Sequence, residues 1–192
     1  METKKTRIKL DYYIQQNVIS VHFLHVLLLL KELQILDNFV ICGSLGLLLN
    51  QKLFRKINDI DLLCIESYYG IDNPLQGYRR FDSQVSHRFE VDKDKITCFK
   101  IELCGVGCDL LHNPSLKSEY YTECILECSS YGKYFELEVK LELPERAIQY
   151  KEKYIKADNS EESRLKHNTD IQNYSKPIEY PTYTDGIDDL PF

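Results

Sequence analysis

The chain has 192 residues, a hydrophobic share of 43% and a formal net charge of -6. This length and composition suit one compact domain with a sizeable core, and the absence of a dominant basic block argues against tight, non-specific binding to a nucleic-acid backbone. The most apolar stretch, residues 18–30, is too short to span a bilayer, so no membrane association is expected.

The first half of the chain predicts a long helix followed by a strand, a turn, a helix and a strand. Apolar residues recur at helical spacing over residues 10–36, which favours a single helix with a heavily buried second half. A short apolar β-type run then leads into a turn at Gly43 and Ser44. The expected elements are a strand at 39–42, a helix at 45–53, a strand at 59–65 and a mostly irregular loop at 68–83.

The second half predicts further strands and then two helices. β-type patterns cover residues 85–91 and 95–103, around a polar turn at 92–94, and then 105–111, 124–129 and 134–143. Helices are expected over 144–157, where Pro144 fits the first turn, and over 160–174. We therefore predict an α/β (or α+β) fold, with a mixed sheet, packed helices and two C-terminal helices. The expected divisions are a core at 1–143, a helical segment at 144–174 and a flexible acidic tail at 175–192.

The strand predicted at 134–143 alternates between apolar and charged residues. Such alternation places every second side chain on the same face of a sheet. One face holds Phe135, Leu137, Val139 and Leu141, and the opposite face holds Glu136, Glu138, Lys140 and Glu142.

Paired carboxylates on the strand at 59–65 are the main chemical feature of the sequence. Asp59 and Asp61 are two residues apart, so a strand presents both on one face while Ile60 and Leu62 enter the core. Carboxylate oxygens are the ligands that Mg²⁺ and Mn²⁺ prefer. Asp109, at the end of the strand predicted at 105–111, is placed to add a third carboxylate. The alternative for this motif is a solvated strand end.

The context of these carboxylates resembles the DNA polymerase beta-like nucleotidyltransferase superfamily. The shared pattern is a strand, a Gly-Ser turn, a short helix, an arginine and an Asp-x-Asp, here Gly43, Ser44, Arg55, Asp59 and Asp61. Within that superfamily the sequence is most similar to the minimal enzymes of bacterial abortive-infection toxin systems. The resemblance covers residues 38–174, with its strongest part at 41–62, and it places the family's third carboxylate at Asp109.

The same resemblance suggests residues that would bind the nucleotide, namely Gly43, Ser44, Arg55, Lys151 and Lys166. Gly43 would let the backbone approach a phosphate, and Ser44 would offer a hydroxyl and an N–H at a helix N-terminus, although an ordinary N-cap is compatible with Ser44 as well. The family's helix lysine matches Lys151 (or Lys153), for which a solvated helix face is the alternative. A later Lys-Asp-x-x-Asp motif matches Lys166 to Asp170, with His167 in place of an acid, and Asp170 could serve only to cap a helix or form an ion pair.

The resemblance implies an Mg²⁺- or Mn²⁺-dependent enzyme. It would move a nucleoside monophosphate from a nucleoside triphosphate to an acceptor hydroxyl of RNA, protein or a small molecule. The toxin-like members favour RNA or protein as the acceptor and imply a cognate antitoxin as partner. The alternative is a binding module with a nucleotidyltransferase fold and little activity.

The final residues support that alternative. Asp188, Asp189, Leu190, Pro191 and Phe192 resemble the acidic Pro-Phe tip of bacterial single-stranded DNA-binding proteins. Phe192 would fill an apolar pocket of a protein that recognises such tips, while the aspartates steer it to a basic rim. The alternative is an acidic, disordered end.

Seven cysteines and no evident secretory signal predict reduced thiols in a cytoplasmic protein. Two pairs with matching spacing, Cys104 with Cys108 and Cys124 with Cys128, form a weaker zinc candidate. Both pairs lie in β-type runs, where buried cysteine usually behaves as a small hydrophobic residue.

Overall fold

The structure is a computed structural model of the chain. It describes residues 5–65, 84–91, 94–112, 118–130, 132–157, 160–174 and 176. The predicted loop at 68–83, part of the turn at 92–94 and the tail with its Asp-Asp-Leu-Pro-Phe ending lie outside the described residues.

Strands and helices alternate irregularly along the described residues. The strands are β1 Thr6–Lys9, β2 Phe39–Cys42, β3 Asp59–Cys64, β4 Gln84–Val91, β5 Asp94–Leu103, β6 Val106–His112, β7 Tyr121–Ser130 and β8 Lys133–Glu142. The helices are α1 Leu10–Gln15, α2 His22–Glu32, α3 Gly43–Leu49, α4 Pro144–Ala157 and α5 Glu161–Tyr174.

The strands of the described part of the chain form one mixed sheet in the order β1-β7-β8-β2-β3-β6-β5-β4. Strands β3 and β6 lie side by side and parallel, and β2 runs antiparallel to β3 on its other side. Strand β8 is parallel to β2. The centre of the sheet therefore consists of β8, β2, β3 and β6, and these four strands carry the candidate site. The predicted mixed α/β fold with two C-terminal helices is confirmed.

The core packs helix α2 and helix α3 against one face of these central strands. Leu24, Val26 and Leu30 of α2 have no exposed surface, and neither do Ile60 and Leu62 of β3. Because side chains alternate along a strand, burying Ile60 and Leu62 turns Asp59 and Asp61 to the opposite face. The hydrophobic core thus fixes the direction in which the acidic pair points.

The single helix predicted over residues 10–36 is wrong, because the chain breaks between α1 and α2. Asn17 has a φ of 55°, and the backbone N–H groups of Val18 and Ile19 both donate to the Tyr13 carbonyl. The Val18 carbonyl accepts a hydrogen bond of 2.8 Å from the Ile57 N–H, in the loop before β3. Apolar spacing continues across the break because both sides of it face the same core, so periodicity alone does not reveal it.

Strand β1 was also missed by the sequence analysis. It pairs in parallel with β7, and its Arg7 side chain forms ion pairs with glutamates of β7 and β8. The four residues of β1 have little apolar character, so no sequence pattern indicates a strand there. They form a strand because they pair with β7. The other predicted strands and helices lying within the described residues are present, with boundaries shifted by a few residues.

No helix in the described ranges is both long and apolar enough to cross a membrane.

The break after α1 can be tested at Asn17, whose side chain is exposed. Asn17→Val should lower the free energy of unfolding by about 1–2 kcal/mol, because branched side chains are disfavoured at positive φ. Asn17→Gly should change it by less than about 0.5 kcal/mol, since glycine adopts this conformation readily. Urea denaturation of the two variants measures the difference, and equal destabilisation would contradict the conformational explanation.

Candidate functional site

A row of polar side chains crosses the face of the central strands opposite helices α2 and α3. Asp61 pairs in register with Asp109 on β6 and with Cys42 on β2. Asp109 in turn pairs with Lys100 on β5. Asp59 lies two residues before Asp61 on the same strand face. The three predicted carboxylates are therefore brought together by the parallel pairing of β3 and β6.

A cavity of about 220 Å³ lies over this row, between the sheet and helices α4 and α5. All three carboxylates line it, together with basic, aromatic and apolar side chains from both layers. The other lining residues include Cys42, Gly43, Ser44, Leu63, Cys98, Lys100, Leu111, Glu142, Tyr150, Lys151, Tyr154, Lys166 and His167.

The concentration of negative charge is largest at Asp61. Burial raises the pKa of this carboxyl, the negative charges of Asp59 and Asp109 raise it further, and Lys151 and Lys166 oppose the shift. The net effect is a pKa of about 7. Ionising all three carboxyl groups at neutral pH is therefore unfavourable unless an additional cation is present.

Gly43 makes room for the Asp61 side chain. It has a φ of +61°, and a Cβ at this position would lie 1.9 Å from the Asp61 Oδ2 atom. Its N–H donates a hydrogen bond to the Glu142 carboxyl. The glycine selected from the sequence therefore lies against a carboxylate of its own chain, and its contact with a phosphate stays a prediction.

Glu142 is a site residue that the sequence analysis missed. Strand alternation placed it on the polar face with Glu136 and Glu138, which are exposed, yet Glu142 is buried. It follows the Ile41–Leu141 pair of the parallel strands β2 and β8 and so lies beside the cavity. Burial raises its pKa to about 8, although the Gly43 hydrogen bond and the Arg146 charge act in the opposite direction. Only the pairing of β8 with β2 distinguishes Glu142 from the exposed glutamates.

Arg55, Lys151, Ser44 and Asp170 form one buried polar network. Arg55 binds Asp170 through two hydrogen bonds of 2.8 Å, and Lys151 Nζ lies 3.0 Å from the Asp170 Oδ2 atom. The Ser44 hydroxyl accepts hydrogen bonds from Arg55 at 2.9 Å and from Lys151 at 3.2 Å. The network therefore ties the first turn of α3 to both C-terminal helices.

This network decides several of the alternatives left open by the sequence. Lys151 lines the cavity and is buried, so it does not belong to a solvated helix face, and Lys153 is not among the lining residues. Asp170 forms ion pairs with Arg55 and Lys151 and is not placed at the cavity wall. His167, where the toxin-like pattern has an acid, lies with its Nδ1 atom 3.4 Å from the Lys151 Nζ atom.

Two further lysines lie beside the carboxylates. Lys166 Nζ is 3.7 Å from Asp59, as the resemblance led us to expect for a basic residue near the site. Lys100 Nζ is 3.8 Å from Asp109 and was not selected from the sequence. Both side chains are partly exposed, at 41% and 61%, so they can move toward an incoming anion.

The zinc hypothesis for the cysteine pairs is wrong. Cys108 lies on β6, whereas Cys124 and Cys128 lie on β7, and β3, β2 and β8 separate these strands. Burial raises the pKa of all three thiols to about 12, which keeps them protonated. All seven cysteines are free thiols, as predicted.

Within the described ranges, no three His, Cys, Asp or Glu side chains are already arranged to hold a metal ion. The donor chemistry nevertheless fits a hard divalent cation, because the row consists of carboxylates on one sheet face. The raised pKa of Asp61 reflects negative charge that such a cation would balance.

The sequence matches no protein-family model and no curated protein. A search of solved structures found similarity to an antigenic nucleotidyltransferase-like protein from Paracoccidioides brasiliensis. The superposition has a TM-score of 0.43 with 17% sequence identity and covers 87% of this chain and 77% of that chain. A similarity of this extent assigns neither a family nor an activity, so the function has to be inferred from the site itself.

The contact between Gly43 and Asp61 predicts energetic coupling between them. Gly43→Ala should lower the free energy of unfolding more in the wild-type background than in an Asp61→Ala background, by about 1–3 kcal/mol. The reason is that Asp61→Ala removes the two atoms nearest to the added methyl group. Chemical denaturation of the two single variants and the double variant, without added metal, measures the coupling. Strictly additive effects would contradict the contact.

The buried network predicts that Asp170→Asn destabilises the protein by about 3 kcal/mol at neutral pH, because Arg55 and Lys151 lose a buried counter-ion. Burial acts to raise the pKa of Asp170, but the hydrogen bond from Arg55 and the charge of Lys151 outweigh it and hold the pKa below 3.8. The stability from this carboxylate is therefore fully present above pH 3.8 and is lost as the pH falls through its depressed pKa.

Urea denaturation from neutral to acidic pH tests the Asp170 prediction. The stability difference between the wild type and Asp170→Asn should shrink in acid, whereas exposed Asn168→Ala, on the same helix, should have a small effect at every pH. A difference that stays constant into acid would exclude an electrostatic origin.

Proposed function

We propose that this protein is a metal-dependent nucleotidyltransferase that moves a nucleoside monophosphate from a nucleoside triphosphate to an acceptor hydroxyl. The observation that carries the proposal is the convergence of Asp59, Asp61 and Asp109 on one face of two parallel strands, opposite Lys151 and Lys166. Carboxylates that face lysines across a cavity suit metal-assisted phosphoryl chemistry.

The proposed metal ligands are Asp59, Asp61 and Asp109, and the proposed ions are Mg²⁺ or Mn²⁺. When bound, divalent ions supply charge neutralisation for the attacking and leaving oxygens of an in-line displacement. Asp61 and Asp109 are paired in the parallel register of β3 and β6, which holds two carboxylates at a fixed separation. Because Gly43 has no side chain, the Asp61 carboxylate has room to occupy its position. These features favour preorganised ligands over a site assembled by loops.

The lysines on α4 and α5 are proposed to bind the triphosphate. Lys151 is held by Ser44 and Asp170, so its ammonium group is already oriented beside the Gly43–Ser44 turn. Lys166 would exchange its 3.7 Å contact with Asp59 for a phosphate oxygen when a metal ion neutralises that carboxylate. Arg55 contributes by holding Asp170 and is assigned no direct phosphate contact.

The finer aspects of the proposal rest on the sequence resemblance. The acceptor is a hydroxyl of RNA, protein or a small molecule, and the toxin-like members favour RNA or protein. The corresponding biological role is the toxin of a bacterial defence pair, with a cognate antitoxin as partner. Docking through the C-terminal tip stays a prediction, since those residues lie outside the described part of the chain.

The catalytic assignment predicts that Asp59→Asn and Asp61→Asn each reduce Mn²⁺-dependent NTP turnover by at least about a hundredfold, because several kcal/mol of charge stabilisation are lost. The assay incubates the protein with nucleoside triphosphates labelled at the α-phosphate, together with bacterial RNA and protein extracts, and follows transfer of the label. Turnover by Asp59→Asn or Asp61→Asn at the wild-type rate would refute the assignment.

Asp37→Asn is the matched control for this assay, since Asp37 is an exposed aspartate that does not line the cavity. It should keep wild-type turnover. The metal-free site variants should melt no lower than the wild type, because each removes repulsion among the carboxylates. Loss of turnover together with a large fall in melting temperature would show misfolding rather than loss of a metal ligand.

A further inference from the structure

Helices α4 and α5 cross the sheet in opposite directions above the carboxylate row. Helix α4 begins at Pro144, directly after β8, and contacts β4 at the far edge of the sheet. The distance from β8 to β4 is about 24 Å at strand spacing, and the 14 residues of α4 span about 21 Å. Helix α5 packs along α4 and returns Asp170 to Ser44, which follows β2. The first turn of α5 therefore lies on the β5 and β4 side of the cavity.

Ser163 brings a hydroxyl group to that side of the cavity. It lines the cavity from the first turn of α5 and lies two helical turns before Asp170, about 10 Å along the helix axis. Lys166 and His167 follow three and four residues later, so their side chains share its face of the helix. The 3.7 Å contact of Lys166 Nζ with Asp59 places this face over the carboxylates.

The Ser163 hydroxyl differs from that of the other cavity serine in having no competing contact. Ser163 is half-buried, and only its backbone N–H is bonded within the described ranges, to the Ser160 hydroxyl at 3.3 Å. Ser44 is 3% exposed, and its hydroxyl accepts hydrogen bonds from Arg55 and Lys151. An incoming substrate therefore meets an accessible hydroxyl at Ser163 and an occupied one at Ser44.

We propose that Ser163 is the acceptor of a self-modification reaction, in which the protein transfers a nucleoside monophosphate from a nucleoside triphosphate to its own side chain. This inference rests on the proposed function, because it takes the carboxylates and lysines as the site that holds the triphosphate. Ser44 and Lys151 lie at one end of α5 and Ser163 at the other. A triphosphate whose outer phosphates bind Lys151 thus presents its α-phosphate to Ser163 from the side opposite the leaving group, as in-line displacement requires.

The transfer step forms one bond and breaks another. The Ser163 oxygen bonds to the α-phosphorus, while the bond from the α-phosphorus to the oxygen that bridges to the β-phosphate breaks. Pyrophosphate leaves with the electron pair of that bond, and the hydroxyl proton passes to water. The product is a phosphodiester that links Ser163 to the nucleoside. Because the attached nucleotide occupies the cavity, the reaction stops after one nucleotide per chain, and the modified protein no longer acts on other acceptors.

Mass spectrometry of the intact protein after incubation with each nucleoside triphosphate and Mn²⁺ tests the proposal. The wild type should gain one nucleoside monophosphate, on the peptide that contains Ser163, at a rate that does not change when the protein is diluted. Ser163→Ala should lose the label, and Ser163→Thr, which keeps a hydroxyl, should regain part of it. Thr169→Ala is the control and should be labelled like the wild type, since Thr169 is exposed on the same helix and does not line the cavity.

A second measurement locates Ser163 without turnover. In a Cys104→Ser background, which removes an exposed thiol, Ser163→Cys introduces a thiol at the cavity. A nucleoside triphosphate analogue that cannot be cleaved between its α- and β-phosphates, added with Mn²⁺, should slow alkylation of this thiol. Alkylation of Thr169→Cys in the same background should not change.

The two measurements separate the self-modification from the proposed function. Label on Ser163 that forms independently of dilution, together with protection of Ser163→Cys, supports the proposal. It is overturned by label on another residue, by a rate that falls on dilution, by the absence of self-label, or by alkylation that the analogue does not slow. If the same sample then transfers nucleotide to RNA or protein extracts, the proposed function stands without the self-modification. Transfer to no acceptor at all, this chain included, refutes both.

Discussion

The confinement of several carboxylates to one small region of the sheet is the constraint on which the rest of this structure depends. Asp61, Asp109 and Glu142 come from three strands and meet beside one cavity, and burial and mutual repulsion raise the pKa of Asp61 and Glu142. Such an arrangement costs free energy in an empty protein. Its persistence requires nearby positive charge, tight packing and a backbone that leaves room for the carboxyl groups.

The neighbouring residues meet those requirements in different ways. Gly43 provides space, because any side chain there would occupy the position of the Asp61 carboxyl. The Gly43 N–H binds Glu142, so a single residue accommodates two acidic groups. Lys151 and Lys166 supply positive charge from the opposite wall and act against the rise in the Asp61 pKa. The start of α3, directly after β2, therefore accommodates the acidic residues around it.

Helix α5 is held to the protein by polar contacts of Asp170 in addition to the packing of Ile171 and Tyr174 against the core. Asp170 is its buried residue, and this side chain binds Arg55 from the loop after α3 and Lys151 from α4. A charge-based attachment of this kind is directional, since the guanidinium group fixes the orientation of the carboxylate it binds. It sets the position of Lys166 and His167, one turn earlier on α5, over the cavity. The same ion pairs thus maintain the helix and align the proposed phosphate-binding residues.

The sequence by itself determined the local elements and the acidic pair. The alternation in β3 places Asp59 and Asp61 on one face and Ile60 and Leu62 on the other, and this follows from the period of a strand alone. The Gly-Ser turn and the two C-terminal helices were also identified from local patterns, whereas Lys151 (or Lys153) was suggested only by the family resemblance. Each of these features depends on residues close together in the chain, so periodicity, turn residues and a short motif are sufficient to find it.

Only the tertiary structure decided which distant residues meet. Glu142 belongs to the site because β8 lies parallel to β2, and Lys100 belongs to it because β5 pairs with β6. The break in the N-terminal helix is accompanied by a hydrogen bond from the Ile57 N–H to the Val18 carbonyl, a contact that no local pattern encodes. The space that Gly43 leaves for Asp61 likewise became apparent only from the packing of β2 against β3. Strand order and register bring together residues that are far apart in the chain, so they determine which residues form the site. Local sequence patterns contain no information about these long-range pairings, and for that reason the pairings could not be predicted from the sequence.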